Sequence, residues 1–266
     1  MSADGAVLEF DGVTMSFGGL VAVRELTMSV SAGEIFGLIG PNGAGKTTVI
    51  NGITGYYQVD SGDIRFEQHS IRRLPRHQIT RLGIARTFQN LRLFEQLTVV
   101  ENVMVATDAH HRTGFTNALF GLPRHRREER NGRESADDLL RLVHLDHRGG
   151  EFARNLSYGD QRRLEIARAL ATRPRLLLLD EPGAGFEPSE KLELVELIRT
   201  IRERGTTVFL IEHDMGMVMK LCERIVVLDF GLKIAEGTAE QIQNDHKVIE
   251  AYLGTETEIE DASRDR

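Results

Sequence analysis

Residues 40–47, GPNGAGKT, fit the pattern G-x-x-x-x-G-K-[ST] of loops that bind phosphate. An apolar run over 35–40 precedes them and a helix-like segment follows, which is the context that this motif requires. Glycines let successive backbone N–H groups turn inward around phosphate oxygens, and the start of a helix adds partial positive charge. A glycine-rich turn that binds nothing is the alternative. We expect a nucleotide site formed by Gly40, Pro41, Asn42, Gly43, Ala44, Gly45, Lys46, Thr47 and Thr48.

Two carboxylates follow the leucine run at 176–179. Asp180 and Glu181 would lie at the carboxyl end of a buried parallel strand, where α/β sheets bind their ligands. Lys46 is then expected to reach the β- and γ-phosphates, Thr47 to ligate Mg²⁺, and Asp180 to hold that ion through water. Glu181 is placed to accept a proton from the attacking water as a general base. The alternative is that both carboxylates only cap the next helix.

Three further motifs resemble those of ATP-binding-cassette (ABC) ATPases. Residues 156–161, LSYGDQ, resemble the signature motif of that family, usually written LSGGQ. Residues 211–214, IEHD, supply a histidine after the next strand, and Phe88-Gln89 match the Q-loop of the family. The resemblance covers the chain from about residue 8 to residue 254, with the motifs in the family order. It implies that the chain binds and hydrolyses ATP with Mg²⁺.

The resemblance also implies roles for single residues. Phe17 lies where the family places a ring that stacks on adenine, although a Phe packed under a turn is the alternative. Gln89 is implied to contact Mg²⁺ or the attacking water, and His213 to hydrogen-bond the γ-phosphate. Ser157 and Gly159 are implied to bind the γ-phosphate of ATP held by the other subunit of a dimer. The implied catalytic residues are therefore Glu181, His213 and Gln89, and the implied metal ligands are Thr47, Gln89 and Asp180.

Some positions depart from the family pattern. Tyr158 and Asp160 replace the usual small or amide residues of the signature, but the phosphate-contacting Ser157 and Gly159 are kept. Glu187 stands where the family commonly has Asp, in a loop that meets its twin across the dimer. The effect of that extra methylene on the dimer stays open.

The hydropathy pattern predicts the frame that holds these residues. Alternation over residues 7–30 predicts antiparallel strands, and 62–71 an edge strand. Apolar runs at 35–40, 84–88, 175–180, 206–211 and 224–229 predict buried strands that alternate with helices, including helices at 158–172 and 188–203. Residues 95–155 have a helical pattern without a strand signal. We expect an α/β P-loop NTPase fold: a RecA-like parallel sheet core, an N-terminal antiparallel β-subdomain and an inserted α-helical subdomain.

This frame predicts a single ABC ATPase domain over residues 1–254. The helical subdomain is expected at about 92–160, and residues 255–266 form a polar tail. The 266 residues have a formal net charge of −7, which argues against a nucleic-acid partner. The chain has one cysteine and shows no secretion signal or apolar run of membrane-spanning length. We expect a peripheral protein on the cytoplasmic face of the inner membrane.

Several stretches, among them 155–172 and 226–238, look like the longer ATPase subunit of branched-chain amino-acid importers. That resemblance implies a second ABC ATPase subunit as partner: a heterodimer is expected, and a homodimer is the alternative. It also implies two polytopic membrane permease subunits and, indirectly, an extracytoplasmic substrate-binding protein.

Other functions stay open at this stage. The alternatives are the ATPase of a urea, amide or aromatic-acid importer, the ATPase of a lipid or lipopolysaccharide transporter, and, more distantly, a non-transport ABC ATPase. The basic insertion 121–133 is expected to be a solvated, salt-paired helix face, with a lipid-headgroup contact as the alternative.

Overall fold

The computed structural model describes residues 5–87, 92–107 and 123–252, and for 123–131 only the course of a helix. Ten strands form two sheets within these ranges: β1 (Ala6–Phe17), β2 (Leu20–Ser31), β3 (Ile35–Ile39), β4 (Ser61–Phe66), β5 (His69–Ser70), β6 (Ile84–Arg86), β7 (Leu176–Asp180), β8 (Thr207–Ile211), β9 (Arg224–Asp229) and β10 (Leu232–Gly237). The six-stranded sheet has the order β10-β9-β3-β8-β7-β6, and the four-stranded sheet has the order β2-β1-β4-β5. The expected division into a core sheet and an N-terminal antiparallel sheet is confirmed.

The larger sheet is parallel except at one edge. Strands β3, β7 and β8 are buried along their whole length, as their apolar runs predict for a sheet covered on both faces. Strand β10 pairs antiparallel with β9. Strand β10 is not predicted from the sequence, because all six of its residues are exposed or half-buried and leave no apolar run.

The antiparallel sheet corrects one expectation. Residues 62–71 do not form a single edge strand, because β4 turns into β5 through Glu67 and Gln68. Both turn residues have positive φ angles, 47° and 67°, which end the extended backbone. Within the described part of 95–155, which has a helical sequence pattern, Thr98 and Phe152 form an isolated antiparallel bridge outside the named strands.

The helices lie between the strands in chain order. They are α1 (Lys46–Ile53), α2 (Arg76–Arg81), α3 (Val99–Thr107), α4 (Pro123–Leu142), α5 (Tyr158–Ala171), α6 (Pro188–Glu203), α7 (Met215–Leu221) and α8 (Ala239–Gln243), and residues 246–252 are also helical. The prediction for α6 is confirmed at both ends: Pro188 opens it, with the rigid φ that suits a first helical position. Among the described residues, none of the helices has the length and apolar character needed to cross a bilayer.

Candidate functional site

The glycine-rich loop joins β3 to α1, as its sequence predicts. Lys46, the first residue of α1, is buried and donates hydrogen bonds to the carbonyl oxygens of Gly40 at 2.6 Å and Pro41 at 2.8 Å. Burial lowers the pKa of Lys46, and the carboxylates of Glu181 and Asp180 partly offset this. These bonds use two of the three ammonium donors. The loop therefore holds its own cation at the start of a helix, where an anion binds best.

Two of the loop glycines are required by close contacts. Gly40 has φ +149°, and a Cβ there would lie 2.0 Å from the carbonyl oxygen of Leu228. Gly45 has φ +103°, and a Cβ would lie 2.5 Å from the carbonyl oxygen of Ala22. Both distances are far inside van der Waals contact, and both φ values disfavour other residues. The loop shape thus depends on neighbouring strands as well as on its own turn.

Asp180 ends β7 and forms a buried ion pair. Its Oδ2 accepts a hydrogen bond from Nη2 of Arg86 at 2.8 Å, and Nη1 of Arg86 donates to Oδ1 of Asn51 at 2.7 Å. The side chains of Arg86 and Asp180 are 10% and 5% exposed. Arg86 therefore links the end of β6, the end of β7 and helix α1. Neither Arg86 nor Asn51 is predicted from the sequence, although an arginine inside the short apolar run at 84–88 is a signal that could have indicated Arg86.

Glu181 and His213 follow neighbouring parallel strands. Strands β7 and β8 pair up to Asp180 and Ile211, and the N–H of Glu181 donates to the carbonyl of Ile211 at 2.9 Å. Glu181 is half-buried and has φ +50°, a conformation that non-glycine residues rarely adopt and that recurs at functional sites. The side chain of His213 is 62% exposed. Both side chains lie at the carboxyl edge of the sheet, as predicted.

Ser157 is the N-cap of α5. Its hydroxyl oxygen accepts from the N–H of Asp160 at 3.2 Å, and the hydroxyl donates to Oδ2 of Asp160 at 2.9 Å. Arg148 donates to the same carboxylate oxygen at 2.6 Å. Ser157 itself is exposed, and its described contacts lie within its own helix start rather than with residues 40–48. The start of α5 is therefore exposed at Ser157 and capped by its own side chain, and the predicted contact of Ser157 and Gly159 with a nucleotide of another subunit stays a prediction.

The departures Tyr158 and Glu187 lie close together in the fold. A Cβ at Gly185 would lie 2.8 Å from the ring of Tyr158, so the segment 182–187 before α6 packs on that ring at Gly185. The Tyr158 hydroxyl accepts from Arg162 at 2.8 Å. Glu187 is the N-cap of α6, and its N–H donates to the Glu190 carboxylate at 2.9 Å. The large side chain of Tyr158 therefore fits because Gly185, which lies against its ring, has no side chain.

The remaining predicted positions divide into two groups. Phe17 ends β1, is 41% exposed and packs edge-on against Tyr57, with ring centroids 4.6 Å apart. A partly exposed ring is compatible with base stacking. Gln89 lies outside the described residues, as do the tail 255–266 and the side chains of insertion residues 121–131. Their predicted roles stay predictions.

The chain matches a family model described as ABC transporter over residues 23–184. A second model, described as branched-chain amino acid ATP-binding cassette transporter, matches residues 233–258. The first match contains the glycine-rich loop, the signature-like segment and the acidic strand end. The second covers most of β10 and the segment after it.

Known proteins resemble the chain over almost its whole length. The high-affinity branched-chain amino acid transport ATP-binding protein BraF of Pseudomonas aeruginosa is 49% identical, over 93% of this chain and 98% of that protein. The corresponding protein LivG of Escherichia coli is 46% identical over the same shares. The lipopolysaccharide export system ATP-binding protein LptB of Haemophilus influenzae is 35% identical, over 96% and 100%.

Solved structures show the same fold. The crystal structure of an ADP-bound ATP-binding cassette of an ABC transporter superposes with a TM-score of 0.81, at 30% identity, and covers 94% of this chain and 99% of that one. A nucleotide-free cassette gives the same TM-score at 32% identity, over 93% and 98%. Fold, site geometry and sequence agree, and the chain belongs to the ATP-binding subunits of the ABC transporter family.

Proposed function

We propose that this chain is the ATPase subunit that drives import of branched-chain amino acids across the inner membrane, working at its cytoplasmic face. The observation that carries the substrate class is the agreement between the whole-chain comparison and a family model of the C-terminal part. The whole chain is 46–49% identical to ATP-binding proteins of branched-chain amino acid transport, and residues 233–258 match the family model of such transporters. The lipopolysaccharide exporter subunit is a weaker match, at 35% identity.

The site geometry supports a defined division of labour in ATP hydrolysis. Backbone N–H groups of the loop and the Lys46 ammonium neutralise the β- and γ-phosphates. Glu181, at the sheet edge beside the loop, accepts the proton of the attacking water. His213, after the neighbouring strand, donates to the γ-phosphate and orients that water. Phe17 stacks on the adenine, and Gln89 is assigned to the water or the metal by the family resemblance alone.

Mg²⁺ fits the residues that line this edge. The ion prefers hard oxygen ligands and keeps several waters, so two protein oxygens suffice. Thr47 offers a hydroxyl in the first turn of α1, and Asp180 offers a carboxylate at the end of β7. Arg86 bridges Asp180 to Asn51 of α1 and so fixes the two ligand-bearing elements against each other. When bound, the ion would neutralise charge on the phosphates.

We propose that two ATPase subunits of different sequence pair head to tail around two ATP molecules. The start of α5, with Ser157 and Gly159, supports this assignment because Ser157 is exposed and its described contacts do not reach the phosphate loop of its own chain. Each subunit would then complete the ATP site of the other. ATP binding closes the pair, and hydrolysis opens it, which gives the two states that a transporter needs.

A cavity of about 260 Å³ is the surface that we assign to contact with a permease subunit. It lies between the core and the helical region, with Ile79 and Ala169 among its apolar residues and Arg76, Arg92 and Arg168 among its basic ones. Phe94, 46% exposed, stacks on the guanidinium of Arg168. An amphipathic helix of a membrane permease subunit with acidic residues has the complementary chemistry.

The test uses a variant that binds ATP without turning it over. We expect tagged Glu181→Gln, with ATP and Mg²⁺ in mild detergent, to retain two polytopic membrane proteins and a second ATPase. Lys46→Ala is the matched control and should not show the ATP-dependent retention of the second ATPase. Purified complex in liposomes should then import leucine, isoleucine or valine when the binding protein is supplied. Retention of a lipid-export permease instead would overturn the substrate class and leave the ATPase assignment intact.

A further inference from the structure

Glu212 is a fully buried carboxylate beside the exposed His213. It follows the apolar strand β8 and its side chain is 1% exposed. Its oxygens accept three backbone hydrogen bonds: Oε1 from the N–H of Gly183 at 2.7 Å, and Oε2 from those of His213 at 3.0 Å and Asp214 at 3.3 Å. One side chain therefore joins the loop after β7 to the loop after β8.

The charge of Glu212 is balanced mainly by backbone dipoles. Among the described residues, one nitrogen of a basic side chain lies within 4.0 Å of the Glu212 carboxylate, Nδ1 of His213 at 3.7 Å. A buried carboxylate is costly to desolvate unless hydrogen bonds satisfy it, and bonds from N–H groups to an ionised oxygen are strong. Lys191, whose Nζ donates to Asp214 at 2.6 Å, adds positive charge nearby. The carboxylate is thus suited to hold backbone N–H groups in fixed positions.

Gly183 allows this contact by having no side chain. A Cβ at that position would lie 2.8 Å from Oε1 of Glu212 and 3.1 Å from Sδ of Met217. Its backbone can therefore approach the carboxylate only as glycine. The contact therefore requires both the absence of a side chain at Gly183 and the carboxylate of Glu212.

The two joined loops carry the residues assigned above to chemistry. Glu181 lies two positions before Gly183, and His213 directly follows Glu212. The ion pair between Lys191 of α6 and Asp214, the N-cap of α7, is a second link between the same segments. We propose that Glu212 is a positioning residue, which fixes the backbone of His213 relative to that of Glu181 and makes the two loops move as one. This inference rests on the proposed roles of Glu181 and His213.

Glu212→Gln is the most conservative test. It keeps the shape of the side chain but replaces one acceptor oxygen by an NH₂ group, which would face a backbone N–H. We expect kcat for ATP hydrolysis to fall about 10- to 100-fold, the effect of losing one charge-assisted hydrogen bond. Equilibrium affinity for ATP should stay within about threefold, since the phosphate loop is untouched. A merely structural role would lower stability without separating kcat from affinity.

Glu34→Gln is the matched control. Glu34 is also buried and accepts a backbone N–H, from Ser31 at 2.7 Å, but it precedes β3 at the other end of the sheet. It pairs with Arg224. We expect Glu34→Gln to lower the unfolding temperature and leave kcat unchanged. A wild-type kcat in Glu212→Gln, or parallel effects of both variants on kcat, would overturn the inference.

A double-mutant cycle tests the contact with Gly183. Gly183→Ala alone should lower kcat by about the same factor, because its Cβ would displace the carboxylate. In a Glu212→Ala background the same change should add less than about threefold, and full additivity of the two changes would contradict the coupling. Should Glu212→Ala not fold, Glu212→Gln decides alone.

Glu181→Gln and His213→Ala, assayed in parallel, test the proposed function separately. Wild-type turnover in those variants would refute the roles assigned to Glu181 and His213, but not the contact between Glu212 and Gly183.

Discussion

The ion pair between Arg86 and Asp180 allows a quantitative prediction. At 2.8 Å, with an effective dielectric constant of about 20, the gross attraction between the two charges is about 6 kcal/mol. Desolvation offsets part of this, but removing one partner of a buried pair leaves an uncompensated charge and costs about 3–5 kcal/mol. Because the two side chains are only 10% and 5% exposed, that range applies here. We expect Arg86→Met to lower the free energy of unfolding by about 3–5 kcal/mol.

Urea unfolding without nucleotide, followed by circular dichroism, measures this loss. With a urea m value of about 3 kcal/mol/M, the midpoint should fall by about 1–2 M. Arg65→Met is the control, since its partners are more exposed: the side chain of Arg65 is 39% exposed and that of Asp63 is 25% exposed. That change should cost no more than about 1 kcal/mol. Adding Asp180→Leu to Arg86→Met should restore most of the stability, because a buried apolar pair replaces the carboxylate that has lost its arginine. A loss below about 1 kcal/mol in Arg86→Met, or no recovery in the double variant, would refute the reasoning.

Other changes have outcomes that the geometry determines. Gly40→Ala should abolish ATP binding in an equilibrium assay, because its Cβ would lie 2.0 Å from a carbonyl oxygen. In the control Gly205→Ala, the new Cβ would have nothing within 4 Å. That change should lower the free energy of unfolding by about 1 kcal/mol and leave ATP binding intact. Burial raises the pKa of Cys222 to about 12 from 9.0, so at alkaline pH the folded state keeps a proton that the unfolded state loses. The free energy of unfolding should therefore fall by about 1 kcal/mol between about pH 8 and about pH 10. Cys222→Ala should remove that part of the pH dependence. Phe17→Ala should weaken ATP binding about 5- to 150-fold through lost stacking, and Phe17→Tyr should not; equal binding in both would remove Phe17 from the site.

Motif positions were predictable because their chemistry is local in sequence. The glycine loop, Asp180, Glu181 and His213 all follow apolar strands, so a strand-by-strand interpretation placed them at one edge of the sheet. The same pattern gave α6 at its observed ends, from Pro188 to Glu203. Signals of this kind need only a short window of the chain.

The partners of those residues were not predictable. Arg86, Asn51 and Asp180 come together from segments separated by 35 and 94 positions. The contact of Glu212 with Gly183 spans 29 positions. Such pairs depend on the order of strands in the sheet, which hydropathy does not encode. Strand β10 escaped prediction for another reason, because an exposed edge strand has no apolar pattern.

The strand order also sets a time scale for synthesis. Strand β3 lies between β8 and β9, and both neighbours come late in the chain. Thr207, the first residue of β8, is 168 residues after Ile39, the last of β3. At about 5–20 residues per second, a ribosome needs roughly 8–34 s to make that stretch. During this interval the four apolar side chains of β3 have neither sheet neighbour, so the core sheet cannot form around its central strand until most of the chain has been made.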